Sequence, residues 1–417
     1  MTDANPTQHF DDRETRSTED RVQALTKELP EQIARAKDKT RHFAHTLADV
    51  NPEHVTSLAT MADLPVLRKS DLIDRQWDDP PFGGLVATDT NALAHVFQSP
   101  GPIYEPEARK GDFWRFGRAM IAAGFERGGG LIHNTFSYHM MPAGFMFDSA
   151  GRAIDCPVVP AGPGQTEQQV QAMARLKPRY YTGTPSFLKI LLDKAAEQGV
   201  TLDSLTHGLV TAEPLPPSLV GEFRARGVEV HQCYGTADLG MVAYETRARE
   251  GLVVDEDVIV EIVRPGTGDP VPEGEVGEIV VTTLNPDYPL IRFATGDMSA
   301  VMRGACPTGR TNMRIKGWMG RADQTTKVRG VFVHPEQIAK VVARHDAVSR
   351  ARLVVSQDNH QDVATLQCET AAGAADLLEA VAATAREVCG IRPEVDLMPA
   401  DTLPNDGKVI DDIRSFE

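Results

Sequence analysis

The chain has 417 residues, with 43 Lys and Arg against 59 Asp and Glu, a formal charge of −16. At roughly 150 residues per domain this length fits two or three domains, and 41% hydrophobic with 24% charged content excludes wholesale disorder. The acidic excess disfavours a nucleic-acid or anionic-membrane surface, which needs clustered Lys and Arg. It leaves room for an anionic small molecule in a local pocket.

No stretch approaches the ~20 apolar residues of a membrane helix, and the polar segment 1–19 lacks the apolar core of a secretory signal. Cys156, Cys233, Cys306, Cys368 and Cys389 are dispersed, with no CxxC pair and no metal-ligand spacing. Neither a disulfide framework nor a zinc site is expected. Reduced thiols in a cytoplasmic protein are the expectation.

In chain order, residues 19–48 read as polar helix, followed by a short unit ending at Leu64-Pro65. Short apolar runs then alternate with amphipathic stretches. Residues 179–182 read as a strand, Gly183-Thr184-Pro185 as a turn, and 186–198 as a helix with Phe187, Ile190, Leu191 and Leu192 on one side. Gly199 stops that helix. The next strand is 208–211; Pro216 and Pro217 open a helix ending near Gly227, and 228–233 is a third strand. This alternation predicts βαβ units and a parallel sheet.

A hairpin follows, with β-rich runs 258–263 and 278–283 around the Gly/Pro-rich segment 265–270. After Gly320 a smaller α+β pattern begins: a strand at 331–333, then a helix at 335–345 carrying Ile338, Val341 and Val342. Two more strands and an Ala-rich helix around 374–388 complete it. The predicted class is α/β, with a large domain at 1–320 combining parallel-sheet βαβ units and a β-rich part. A small α+β domain at 321–417 follows it.

Four runs carry chemistry. His231-Gln232-Cys233-Tyr234-Gly235-Thr236-Ala237-Asp238 is a strand end followed by an aromatic, a glycine, a hydroxyl and a carboxylate. Ligands of open α/β sheets bind outside the carboxyl ends of the strands. There an aromatic stacks a flat base, a Thr bonds a phosphate oxygen and an Asp holds Mg²⁺; an ordinary turn has the same composition. Thr295-Gly296-Asp297 can present a carboxylate to a ribose diol, or be a plain β-turn. The run 320–330, which includes Arg321, Asp323 and Lys327, lies on the proposed boundary and reads as hinge or linker. Leu403-Pro404-Asn405-Asp406-Gly407-Lys408 reads as a terminal loop.

Taken in this order and spacing, these runs resemble the adenylate-forming acyl-CoA synthetases, most closely the phenylacetate–CoA ligase branch. The resemblance covers nearly the whole chain and includes the segment 62–72, Ala212-Glu213-Pro214, residues 285–297 and Cys306-Pro307-Thr308-Gly309-Arg310-Thr311. It implies that Ala212, Glu213 and Pro214 lie beside the adenine of ATP, with Tyr234 stacking on it and Gly235 adjoining. Thr236 would touch the α-phosphate, and Asp238, where the family usually has Glu, would bind Mg²⁺. Asp297 would hold the ribose hydroxyls and Arg321 would assist near ribose or phosphate. Asp323 would be the hinge about which a mobile small domain turns, and Lys408 would contact the acyl carboxylate and α-phosphate. Residues 327–330 would line the face that admits coenzyme A. Phe136, Tyr138, His139, Phe145 and Ala212 would line the acyl pocket. A homodimer is implied by resemblance alone.

One place departs from the family, whose phosphate loop is a Ser/Thr/Gly-rich run ending in Lys. Here it reads Ser99-Pro100-Gly101-Pro102-Ile103-Tyr104-Glu105. Two prolines lack N–H donors, one hydroxyl remains, the lysine is gone and Glu105 adds negative charge. The nearby Gly128-Gly129-Gly130 run also lacks a lysine and reads as a turn. The expected function is AMP-forming ligation of a small aromatic or short branched acid to coenzyme A, using ATP and Mg²⁺. Two alternatives stay open: an adenylate-binding protein with lost or altered catalysis, and transfer to an amine or carrier-protein thiol.

Overall fold

Apolar runs bounded by Gly and Pro become five parallel strands, in the spatial order Val158–Pro160, Ile132–Asn134, Tyr180–Gly183, His207–Val210 and Glu229–Thr236. Antiparallel strands Gly240–Glu245, Leu252–Val254, Arg314–Ile315 and Val301–Met302 extend this sheet to nine. In this computed structural model the described residues are 9–265, 267–322, 326–358, 361–370, 375–400, 402–404 and 409–414. They divide into two units, Met1–Met319 and Gly320–Glu417.

Helix Pro185–Glu197 shows how local sequence sets the elements. The Thr184 side chain caps it by accepting from the Phe187 N–H, and Pro185 needs no donor at the first position. Leu188, Leu191, Leu192 and Ala195 form the buried stripe, and Gly199, at φ +64°, ends it. The N-terminal helical stretch is not continuous. Thr18–Lys39 ends at Thr40, whose extended backbone breaks it and whose side chain caps a new helix, Arg41–Thr46. A threonine that can accept from the N–H three residues on competes with helix propagation.

Two runs read as turns are strands. Glu229–Thr236 continues through Tyr234-Gly235-Thr236 and pairs antiparallel with Gly240–Glu245. Phe293–Ser299 contains Thr295-Gly296-Asp297 and lies between Leu67–Arg68 and Gly277–Thr283 in a four-stranded sheet completed by Val258–Val263. Gly296 takes φ +76° inside that strand, a conformation available to glycine without steric cost. The phosphate-loop position is a tight hairpin. Leu93–Ser99 and Ile103–Ala108 pair directly, with Ser99 opposite Ile103 across Pro100, Gly101 and Pro102.

A buried ionic clasp ties the start of the described chain to this sheet system. Arg118 contacts Asp11 at 2.8 Å, Glu14 at 3.0 Å and Asp255 at 3.3 Å. Arg310 meets Glu14 at 2.5 Å and Arg115 meets Asp255 at 2.9 Å. Arg13 pairs with Asp257, while Arg16 and Arg21 pair with Glu256.

The second unit has a hairpin, Thr326–Val328 with Val331–Val333, and a sheet in the order Glu394–Met398, Gln361–Thr370, Val348–Asp358, Ile410–Asp412. Its core joins Val328, Ile338, Leu353, Leu366 and Val381, with helices Pro335–Ala343 and Ala375–Cys389. Among the described residues no helix is long and apolar enough to cross a membrane.

Candidate nucleotide and acyl site

The carboxyl end of strand Glu229–Thr236 and the middle of strand Phe293–Ser299 bring Tyr234 and Asp297 together. The Tyr234 hydroxyl donates to Asp297 Oδ2 at 2.8 Å, and Trp318 Nε1 donates to Asp297 Oδ1 at 3.0 Å. A carboxylate with its two oxygens has acceptor geometry suited to two vicinal hydroxyls. Gly235 cannot be replaced freely: an added Cβ would lie 2.6 Å from Gly240 O and 3.1 Å from the Phe116 ring. Thr236 Oγ1 accepts from the Leu239 N–H at 3.1 Å, which closes the tight connection to the next strand.

Beyond Thr236 lies a group of buried charges. Asp238 is 6% exposed, and its Oδ2 accepts from Lys69 Nζ at 2.5 Å. Lys69 comes from the turn after strand Leu67–Arg68, which pairs with Phe293 and Ala294. Burial works against its charge, but Asp238, Glu105 and Asp297 outweigh it and raise its pKa above the ordinary value. Glu105, 1% exposed, accepts from Ser99 Oγ at 2.5 Å across the hairpin. Burial, then the neighbouring Asp238, push the Glu105 carboxyl up to about 8. The Tyr288 hydroxyl feels both carboxylates and is pushed well above its ordinary value, first by burial.

The segment expected beside the adenine is tied to the neighbouring strand and helix. Thr211 Oγ1 donates to Cys233 O at 2.7 Å, Ala212 takes φ +72°, and Glu213 Oε2 accepts from the Ser186 N–H at 3.3 Å. Pro214 is half-buried.

The residues expected at the acyl pocket form a second, aromatic group. Phe136 is buried and stacked on Phe147 at 4.7 Å, and Tyr138 packs on Phe145 at 5.4 Å. Phe145 also lies 5.1 Å from Phe97 and 5.0 Å from His95 on the hairpin. Asn134 Nδ2 donates to the Tyr138 hydroxyl at 2.7 Å, which fixes that ring. His139 is exposed, apart from this packing. A surface cleft of 340 Å³ lies farther along the hairpin, between His95, Glu107, Arg109, Lys110 and Arg152, and holds none of the expected site residues.

Arg321 belongs to the second unit, as does Lys327, whose Nζ sits 5.4 Å over the Phe332 ring. Asp323 and Lys408 lie outside the described residues. Sequence reading did not assign Lys69, Tyr288 or Trp318 to the site, and it read Glu105 only as an unwelcome charge. A lysine two residues after an apolar Val-Leu pair carries no local signal. Its meeting with Asp238 joins positions 169 residues apart.

Comparison with known proteins agrees with this architecture. Residues 138–285 match the AMP-binding enzyme family. The chain is 31% identical over 369 residues to the phenylacetate-coenzyme A ligase of Thermus thermophilus, covering 84% of this chain and 82% of that protein. It is 30% identical over 373 residues to the ligase of the same name from Aromatoleum evansii, covering 85% and 83%. A crystal structure of 2-hydroxyisobutyryl-CoA ligase with 2-HIB-AMP and CoA superposes with a TM-score of 0.83 at 23% identity, covering 97% of this chain and 92% of that one. The chain belongs to the AMP-binding, adenylate-forming enzymes, in the phenylacetate–coenzyme A ligase family.

Proposed function

We propose that this protein is an AMP-forming ligase that activates a small aromatic or short branched carboxylic acid and passes it to coenzyme A. The carrying observation is the convergence of Tyr234, Asp297 and Asp238 at the strand ends of a member of this family. A substrate carboxylate oxygen attacks the α-phosphorus of ATP and the bond to pyrophosphate breaks. The thiol sulfur then attacks the acyl carbonyl, its proton leaves, and AMP departs.

Within this reading Tyr234 stacks on the adenine beside Ala212, Glu213, Pro214 and Gly235, and Asp297 takes the ribose diol with its two carboxylate oxygens. Thr236 turns its hydroxyl to the α-phosphate, and Phe136, Tyr138, His139, Phe145 and Ala212 surround the acyl group. Arg321 and Lys408 supply cations from the second unit, with Asp323 as the hinge between two working domains at 1–320 and 321–417. Asp238 suits Mg²⁺: its Oδ1 is buried without a hydrogen-bond partner among the described residues. The ion would supply charge stabilisation where two anions meet. Its substrates fit a cytoplasmic enzyme, and the family reading extends to a homodimer.

A screen of ATP–pyrophosphate exchange over carboxylic acids, repeated with coenzyme A, tests this. Exchange dependent on one acid class, reduced about 100-fold in Lys408→Ala, is expected. No exchange with any acid at millimolar ATP sinks it. The three-residue hairpin turn favours one second reading, an adenylate-binding protein without turnover. That protein would bind AMP by calorimetry and show no exchange.

A further inference from the structure

Glu105 stands in the hairpin that occupies the place of the family's phosphate loop, yet it does not face solvent. Its side chain is anchored by one oxygen: Oε1 accepts from Ser99 Oγ, while Oε2 is buried with no hydrogen-bond partner among the described residues. Asp238 repeats the pattern. Its Oδ2 is held by Lys69, and its Oδ1 is buried with no hydrogen-bond partner among the described residues. These two carboxylates are electrostatic neighbours. A third orphan, the Tyr288 hydroxyl at 2% exposure, neighbours both.

Orphaned oxygens in one buried place are costly unless something occupies it. Lys69 pairs with Asp238 through Oδ2, which leaves Oδ1 of that carboxylate without a hydrogen-bond partner among the described residues. Each acid is already oriented by its anchored oxygen, as metal-binding carboxylates are when a second group holds them. A hard divalent ion takes oxygen ligands at this density, and Mg²⁺ characteristically uses one or two carboxylates plus substrate phosphates and water. Among the described residues no group of three His, Cys, Asp or Glu forms a full protein cage, which fits that open mode.

We propose that Glu105 and Asp238 together form a two-carboxylate site for a divalent cation, with Glu105 as the ligand contributed by the hairpin. The inference rests on the ligase reading for its biological setting. It assigns the hairpin a role opposite to that of a phosphate loop. The hairpin grips the cation rather than the anion, and the cation together with Lys69 takes over the hold on the phosphate tail.

The test uses Mn²⁺ as the probe, with free ion followed by electron paramagnetic resonance on the full chain, without nucleotide and then with inorganic pyrophosphate. One Mn²⁺ per chain is expected, with Glu105→Gln and Asp238→Asn each weakening its affinity at least tenfold. Gln keeps an oxygen for Ser99, so thermal melting without metal reports whether the hairpin persists. If Glu105→Gln melts several degrees lower, Glu105→Asp replaces it in the comparison and must still shift the affinity threefold or more. Affinity within twofold of the parent in the folded variant overturns the proposal, as does no Mn²⁺ binding by the parent. The readout needs no acid substrate. Absent exchange with intact Mn²⁺ binding sinks the ligase reading alone, and intact exchange with unaltered Glu105→Gln binding sinks this inference alone.

Discussion

Two groups of buried charge lie in the same unit and are built on opposite rules. In the clasp, Arg13, Arg16, Arg21, Arg115, Arg118 and Arg310 meet Asp11, Glu14, Asp255, Glu256 and Asp257. Oxygens that lack a hydrogen bond there, Glu14 Oε2 and Asp255 Oδ2, still face guanidinium nitrogens at 2.5 and 3.3 Å. At the strand ends Lys69 faces Asp238, Glu105 and Asp297, and Asp238 Oδ1 and Glu105 Oε2 are buried without a hydrogen-bond partner among the described residues. Matched charges hold a chain segment in place; mismatched charges wait for a ligand. Arginine suits the first role because its planar fork bonds several acceptors at once.

The sharpest way to break this contrast is to remove a charge from each group. Arg118→Met removes a buried partner shared by three carboxylates and is expected to cost about 3–5 kcal/mol in urea unfolding. Lys69→Met removes a cation whose side chain is 27% exposed, so the loss is smaller, about 2–3 kcal/mol after solvent screening. If Lys69→Met proves the costlier, the two groups do not differ as described.

His231 sharpens the contrast from the strand that leads into the site. Both ring nitrogens are buried without hydrogen bonds, and burial, then Arg249, lower its pKa to about 3. The unfolded chain titrates near the usual 6.5, so between these values the unfolded state binds the extra proton and stability falls as the solution is acidified. From pH 6.5 to pH 5 the loss is about 2 kcal/mol. Urea midpoints at both values should show His231→Gln flattening that slope; an unchanged slope removes His231 as its source. The smallest effect belongs to Glu105→Gln, whose stability at pH 7 should stay within about 1 kcal/mol because the bond to Ser99 remains and the carboxyl, pushed up to about 8, is already mostly neutral there. A loss as large as that of Arg118→Met would put Glu105 in the structural class.

What the sequence made legible were elements with local causes. The Thr184 cap, the Leu188-to-Ala195 stripe and Gly199 define one helix without reference to the rest of the chain. The 258–263 and 277–283 hairpin was equally plain from its β-branched runs. At the site, Tyr234, Asp238 and Asp297 could be picked out by chemistry and order. Their strand conformation could not, because Thr236 is held extended by pairing with Gly240, and Gly296 takes its positive φ where the pairing of Phe293–Ser299 with Gly277–Thr283 shifts register. Lys69, Glu105 and Tyr288 were invisible for a related reason. Their significance is the company they keep, and that company is assembled by sheet registers rather than by spacing.

The Trp318–Asp297 hydrogen bond also makes the protein its own optical gauge. The sequence has three tryptophans: Trp77 is 85% exposed, Trp114 is 2% exposed, and Trp318 is half-buried with its indole N–H on the carboxylate assigned to ribose. Acrylamide silences the exposed Trp77 first and the core-packed Trp114 last. The component quenched between these two belongs to Trp318, an indole whose surroundings change if a diol competes for Asp297. Occupancy of the proposed sugar subsite can thus be read from intrinsic fluorescence in the unlabelled chain, with Trp318→Phe as the blank.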